Sequence, residues 1–120
     1  MTWVYDVRKR TFTHNGEYKF TAMYAGAPDY KNNPDLQCVV NKGPLPRGKY
    51  TIGRPIAHHP TAGRFVLRLT PYASNNMCGR AGFLIHGDNG RGTASNGCIV
   101  ASFDIRRQIA ESADRELIVK

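Results

Sequence analysis

Short runs of alternating apolar residues, separated by turn-forming residues, constrain the fold of this chain more than any other feature. Such alternation has the two-residue period of a β-strand with one buried face. Two runs flank the pair Asn15-Gly16, which favours a tight hairpin turn. Their apolar members are Trp3, Tyr5 and Val7, followed by Tyr18, Phe20, Ala22 and Tyr24. Residues 3–24 are therefore predicted to form a hairpin or a short meander.

Further strands are predicted wherever a short apolar run lies between turn signals. These runs are 36–40, 49–52, 65–69, 82–86 and 117–119, with loops at 25–35, 43–48 and 55–63. One helix is predicted, capped by Ser102, with Phe103, Ile109, Ala110 and Ala113 on or near its buried side. Because the 120 residues contain no repeat and no linker, we expect a single, mostly β domain, 1–120.

The net charge of the chain indicates which kinds of partner it favours. Seventeen Lys and Arg residues against nine Asp and Glu give a net charge of +8, which favours polyanionic partners, whether nucleic acid, anionic lipid or the bacterial envelope. The run Arg8-Lys9-Arg10 is interpreted as a solvated hairpin surface, so no nucleic-acid partner is expected. No stretch approaches the roughly 18 apolar residues of a membrane span, so no membrane insertion is expected either.

The N-terminus resembles a strand and not a leader. It lacks the basic segment and the apolar core of a signal peptide. We therefore expect that the protein is made in the cytoplasm, and that it either stays there or is exported by another machine.

A glycine-rich segment between His86 and Cys98 carries the chemistry. A thiol is only slightly ionised at neutral pH, and an imidazole that takes its proton makes the thiolate available for attack on a carbonyl. Glycines at 87, 90, 92 and 97 let the backbone approach a substrate closely. This pattern predicts Cys98 as nucleophile and His86 as base. Such a thiol is expected to alkylate faster than the other cysteines, with a depressed apparent pKa.

The other cysteines and the paired histidines have weaker signals. Since Cys98 has catalytic neighbours, Cys38 and Cys78 are the candidate disulfide pair, although Cys38 is equally compatible with a buried strand position. His58 and His59 point to opposite faces if they lie in a strand, and no metal-binding spacing accompanies them. No metal or other cofactor is expected.

Several motifs resemble those of one enzyme family. Ser95-Asn96-Gly97-Cys98-Ile99 resembles the Ser-x-Gly-Cys signature of L,D-transpeptidases, and His86-Gly87 resembles the His-Gly that precedes it. Residues 32–34, 41–50 and 86–89 resemble a compact subgroup that includes peptidoglycan-targeting effectors delivered by type VI secretion systems. The resemblance extends from about Trp3 to the C-terminus.

Two positions depart from the family pattern. Asn96 stands where histidine is usual, and Val100 stands where an arginine usually follows the nucleophile. Arg80, Arg91 and Arg106 are the candidates to substitute for that arginine.

The resemblance implies a small L,D-transpeptidase-like β-sandwich or barrel with one short helix in the C-terminal half. It also implies a cysteine enzyme that forms a thioester with a peptidoglycan stem peptide and releases the terminal D-amino acid. Backbone groups of Gly97 and Cys98 are expected to bind the oxyanion, and the Gly87 carbonyl is expected to orient His86. Substrate-binding roles are assigned to Ser95, Asn96 and Asp88, with turn or loop roles for Ser95 and Asp88 as the alternatives.

The biological setting also comes from the resemblance. It implies a toxin that a type VI system delivers to the periplasm of target bacteria, and a cognate immunity protein that blocks the cleft. The alternatives are a resident or phage-derived cell-wall enzyme, and a non-catalytic basic module that binds the envelope or nucleic acid.

Overall fold

A computed structural model describes residues 2–120. It contains nine strands, one α-helix and a short 3₁₀ helix, Pro34–Leu36. This confirms the mostly β class with a single helix. The strands are β1 (Trp3–Asp6), β2 (Thr11–His14), β3 (Glu17–Thr21), β4 (Tyr24–Ala25), β5 (Gly48–His59), β6 (Gly63–Pro71), β7 (Leu84–His86), β8 (Ile99–Val100) and β9 (Glu116–Val119), and the helix α1 is Phe103–Glu111.

All nine strands belong to one hydrogen-bonded sheet, in the order β3-β2-β1-β9-β5-β6-β7-β8-β4. Two neighbouring pairs are parallel, β1 with β9 and β7 with β8. The last strand therefore joins the N-terminal meander to the rest of the sheet. Among residues 2–120, no helix is long and apolar enough to cross a membrane.

The alternating residues of the first strands form the core, as predicted from their period. Trp3, Tyr5 and Phe12 are buried and pack ring against ring. They belong to one hydrophobic core with residues from the central strands and from α1, among them Tyr50, Leu67, Ile85, Ile99, Ile109 and Leu117. The core therefore fixes β7 and β8, the strands that carry the motif.

The hairpin of β5 and β6 is longer than predicted, so the loop expected at 55–63 is wrong over its first half. Strand β5 continues to His59 with Pro55 inside it. This is possible because β9 pairs only with residues 48–51, which leaves the rest of β5 at an edge, and because the register shifts between Ile52 and Pro55. A proline is tolerated at such an edge or bulge, where its missing N–H is not needed.

Two other local predictions are wrong. The strand expected at 36–40 is replaced by the 3₁₀ helix and by turns, closed by local hydrogen bonds such as Val39 N–H to Leu36 O, 3.0 Å. The buried side predicted for the helix is right for Ile109 and Ala110, which lie in or against the core, but wrong for Ala113 and for Phe103, which is 54% exposed. The helix follows the predicted cap, with Ser102 Oγ accepting from the Ile105 N–H at 3.3 Å, but its buried face consists of Ile105, Arg106 and Ile109.

Cys38 and Cys78 form a disulfide, with their Cα atoms 5.3 Å apart. The bond joins the turn region after the 3₁₀ helix to the loop before β7. Both segments contribute residues to the cleft described below, among them Asn41 and Arg80. The disulfide thus connects two parts of one wall that are 40 residues apart in sequence.

We expect the disulfide to contribute measurably to stability. In a Cys98→Ala background, which excludes thiol exchange, Cys38→Ala/Cys78→Ala should lower the free energy of unfolding by about 2 to 4 kcal/mol, because the unfolded chain regains loop entropy. Urea unfolding with and without reductant measures this. Reductant should destabilise only the protein that retains both cysteines, and an equal response of the two proteins contradicts the prediction.

Candidate active site

The parallel pairing of β7 and β8 brings the two ends of the glycine-rich segment together. Ile85 pairs with Ile99 and His86 with Val100, so Cys98, one residue before β8, lies level with Leu84. Side chains of a strand alternate between faces, so Cys98 and His86 point to the same side of the sheet. The two residues are offset by two positions along the strand and lie on neighbouring strands, so their Cα atoms are about 8 Å apart.

Both side chains open into one cleft of about 810 Å³. Four segments form its walls: the turn region after the 3₁₀ helix, the β5–β6 hairpin, the loop before β7, and the glycine-rich segment. The hairpin contributes His59, Thr61, Ala62 and Gly63. The unpredicted length of this hairpin therefore supplies one wall of the site.

The orientation of His86 is set by its neighbour. The ring is 6% exposed, and its Nδ1 lies 2.8 Å from the Gly87 carbonyl oxygen. A carbonyl can only accept, so Nδ1 carries the proton and the neutral ring leaves Nε2 free to act as a base. Burial lowers the pKa of His86 below 6.5; the Gly87 bond opposes this, and the charges of Arg106 and His59 add to it. The imidazole is therefore neutral at neutral pH.

The Cys98 thiol is protonated in the resting protein. Burial raises the pKa of Cys98, against the opposing effects of the Leu84 and Cys98 backbone amides and the charge of Arg80. The depressed pKa expected from the sequence is therefore wrong for the resting state, because the site removes the thiol from water more effectively than it stabilises the anion. A neutral thiol beside a neutral imidazole needs proton transfer at the moment of attack.

Two buried arginines act electrostatically on the pair, Arg80 on Cys98 and Arg106 on His86. Arg80 donates to four backbone carbonyls, those of Gln37, Gly43, Pro44 and Asn96, at 2.5 to 3.0 Å. A Cβ on Gly97 would lie 2.6 Å from its Nη2, and Gly97 has φ +143°, so only glycine suits that position.

Arg106 lies on the histidine side of the site. It donates to the carbonyls of Phe65, Ala101 and Arg64 and comes close to Gly87. Arg91 is exposed and does not line the cleft. Of the three arginines that the sequence left open, Arg80 is the one whose charge acts on Cys98.

Ser95 holds the turn before the thiol. Its side chain is 1% exposed; it accepts from the amides of Gly26 and Gly97 and donates to the Cys98 carbonyl at 2.7 Å. These contacts fit the turn role and leave no free hydroxyl for a substrate. They also engage the Gly97 amide, one of the oxyanion donors expected from the sequence.

Asp88 and Asn96 both line the cleft but differ in their contacts. Asp88 accepts from the Tyr24 hydroxyl at 2.5 Å and from the Gly90 amide at 3.2 Å, and these bonds, led by that of Tyr24, lower the pKa of its carboxyl. This is the loop-forming alternative. Asn96 is exposed, and its backbone carbonyl is the one held by Arg80. Nothing in the sequence indicated that Tyr24, which lies 64 positions away, contacts Asp88.

The histidine pair is separated by the strand that contains it. His59 lines this cleft, where its Nδ1 accepts from the amides of Thr61 and Ala62, while His58 lines a second cavity with Phe65 and Phe103. The alternation expected for adjacent strand residues explains this separation.

Solved structures identify the class of fold. The chain is similar to L,D-transpeptidase 1 from Mycobacterium tuberculosis, with a TM-score of 0.57 and 16% identity over 98% of this chain and 60% of that one. It is also similar to L,D-transpeptidase 3 from the same organism in complex with a faropenem-derived adduct, with a TM-score of 0.55 and 14% identity over 99% of this chain and 59% of that one. The fold is that of the L,D-transpeptidases, and the chain spans about three-fifths of the length of these structures.

A family model gives the particular family. The Tlde1 domain model matches residues 19–118. The chain therefore belongs to the Tlde1 domain family, a type VI effector family with an L,D-transpeptidase-like fold, as the motifs around His86 and Cys98 led us to expect. No curated protein matches the chain.

The raised pKa of Cys98 gives a direct prediction. The rate of alkylation by iodoacetamide should rise with pH to a midpoint above that of the same thiol in the protein unfolded in guanidinium, where burial no longer disfavours the anion. The disulfide leaves Cys98 as the free thiol in both states. A midpoint below that of the unfolded protein contradicts this assignment and indicates a preformed thiolate.

Proposed function

We propose that this protein is a cysteine-dependent enzyme that modifies peptidoglycan, with Cys98 as nucleophile and His86 as general base. The observation that carries the proposal is the shared face of β7 and β8, which opens a thiol and an oriented imidazole into one cleft. Membership of the Tlde1 family and the L,D-transpeptidase fold support the substrate class.

In the first half-reaction, Cys98 attacks the carbonyl of the third residue of a tetrapeptide stem. His86 Nε2 takes the thiol proton as the S–C bond forms, and returns it to the amine of the fourth residue as the C–N bond breaks. The D-amino acid leaves and a thioester remains on Cys98. Nδ1 stays bonded to Gly87, so the ring keeps its orientation through both transfers.

The oxyanion is bound by backbone amides. The Gly97 amide is engaged by Ser95, which leaves the amides of Cys98 and Leu84, both of which act on the sulfur. Arg80 supports the attack in two ways. Its charge favours negative charge at Cys98, and its hydrogen bonds hold the Gly43 and Asn96 carbonyls near the nucleophile. In this role Arg80 substitutes for the arginine that is usual in the family at the position of Val100.

The second half-reaction decides the outcome. Water gives an L,D-carboxypeptidase, a free D-amino acid gives exchange, and the amine of another stem gives a cross-link. The first two reactions alter the donors that a cell needs for cross-linking and are toxic to it.

We infer an antibacterial effector that acts in the target periplasm and is blocked by an immunity protein. Three features support this setting. The family is one of type VI effectors, the net charge of +8 favours the anionic envelope, and the disulfide suits an oxidising compartment.

Muropeptides with tetrapeptide stems test the reaction. The wild-type protein should remove the terminal D-residue, or replace it when a D-amino acid of another mass is added, and Cys98→Ala should do neither. His86→Ala should lower the rate by at least about a hundredfold, because it removes the general base. The products are identified by mass spectrometry.

The controls separate chemistry from folding. Cys98→Ser keeps the size of the side chain, and circular dichroism shows whether each variant is folded. Turnover by folded Cys98→Ala overturns the proposal. Unchanged muropeptides with wild-type protein, accompanied by salt-sensitive binding to envelope fragments, favour the non-catalytic basic module.

The pH dependence follows from His86. The base must be neutral to accept a proton, and its lowered pKa means that protonation requires a pH below 6.5. We therefore expect kcat/KM to fall on acidification with a midpoint below pH 6.5. His59→Asn should raise that midpoint because it removes the electrostatic effect by which His59 lowers the pKa of His86, while His58→Asn, in the second cavity, should leave it unchanged. A wild-type midpoint above pH 6.5 contradicts the assignment.

A further inference from the structure

Arg68 shares a row of the sheet with the nucleophile. It lies on β6 opposite Leu84 of β7, and Cys98 is level with Leu84 on the next strand. Residues in register across neighbouring strands share a face, so Arg68, Leu84 and Cys98 point to the same side, and all three line the cleft. With two strand spacings between them, the Cα atoms of Arg68 and Cys98 lie about 10 Å apart.

Arg68 is a cation of the cleft that has no hydrogen-bond or ion-pair partner among residues 2–120. Arg80 is saturated by backbone carbonyls, and Asp88 is held by Tyr24 and the loop amides. Among residues 2–120, no hydrogen bond or ion pair engages the Arg68 guanidinium. Its side chain is exposed to the open cleft. The cleft therefore presents an unpaired positive charge beside the nucleophile.

The strand next to Arg68 leaves it room. A Cβ added to Gly53 of β5 would meet the Arg68 Cβ at 3.5 Å, which places Gly53 on the same face beside the arginine. Glycine at that position adds no side chain beside the stem of Arg68. A planar, bidentate donor in an open groove suits a carboxylate better than any neutral group.

We propose that Arg68 binds a carboxylate of the substrate peptide and thereby selects acidic stems. The inference rests on the proposed function, since the peptide is the one that Cys98 attacks. The terminal carboxylate of the fourth residue lies only a few bonds from the attacked carbonyl, which fits a cation in the same row as the thiol. A carboxylate elsewhere on the stem is the other source of the same chemistry.

Binding measurements test this without turnover. In a Cys98→Ala background, calorimetry compares a tetrapeptide stem with the same peptide amidated at its C-terminus. Arg68→Gln should weaken binding of the acid about tenfold, and Arg68→Lys should weaken it less because the charge remains. Arg54→Gln is the matched control, because Arg54 is exposed on the adjacent strand outside the cleft, and it should change nothing.

The amidated peptide identifies the carboxylate. If the terminal carboxylate is bound, amidation weakens binding to the Arg68 protein about tenfold and has no further effect on Arg68→Gln. If amidation has no effect while Arg68→Gln still weakens binding, the proposal stands with a carboxylate elsewhere on the stem.

Equal binding by Arg68→Gln and the parent protein overturns the role of Arg68 and leaves the proposed function intact. If the parent protein binds neither peptide, and the wild-type protein leaves muropeptides unchanged, the proposed function fails, and the assignment of Arg68 fails with it.

Discussion

The parallel pairing of β7 with β8 is the constraint on which the site depends. Ile85 and Ile99 are both fully buried, and their register sets which residues of the two strands lie side by side. A slip of one residue moves every side chain of a strand to the other face. Such a slip in β8 turns Cys98 away from the cleft that His86 lines. The apolar core thus determines the relation between thiol and imidazole, although neither residue contributes to it.

Positive charge surrounds the pair without ion pairing. Arg80 and Arg106 are buried and bonded only to backbone carbonyls, an arrangement that satisfies their donors while leaving their charge uncompensated. One charge acts on Cys98 and the other on His86. The first favours a negative sulfur and the second disfavours a protonated imidazole. Burial keeps the thiol protonated, the Arg106 charge helps to keep the imidazole neutral, and the Arg80 charge favours the anionic sulfur that the proposed attack requires.

The walls of the cleft come from segments far apart in sequence. The disulfide from Cys38 to Cys78 joins two of them, and Arg80, in the loop before β7, binds carbonyls of the segment that contains Cys38 and of the turn that contains Ser95. The β5–β6 hairpin supplies a further wall. The walls are therefore stabilised by independent means: a covalent bond, a buried arginine and a β-ladder. Rigid support of this kind favours precise positioning of Cys98, the proposed nucleophile.

The sequence by itself determined the class of fold and the cap at Ser102, and it indicated Cys98 and His86 as the proposed catalytic pair, because each depends on a short-range pattern: alternation, a capping side chain, a glycine-rich motif. It could not choose among Arg80, Arg91 and Arg106, nor find Tyr24 beside Asp88, because those contacts join residues that are distant in the chain. The length of β5 and the raised pKa of Cys98 were also decided only by the tertiary structure. A proline is tolerated where a neighbouring strand ends, and the pKa of a thiol is raised only where the folded chain partly buries it.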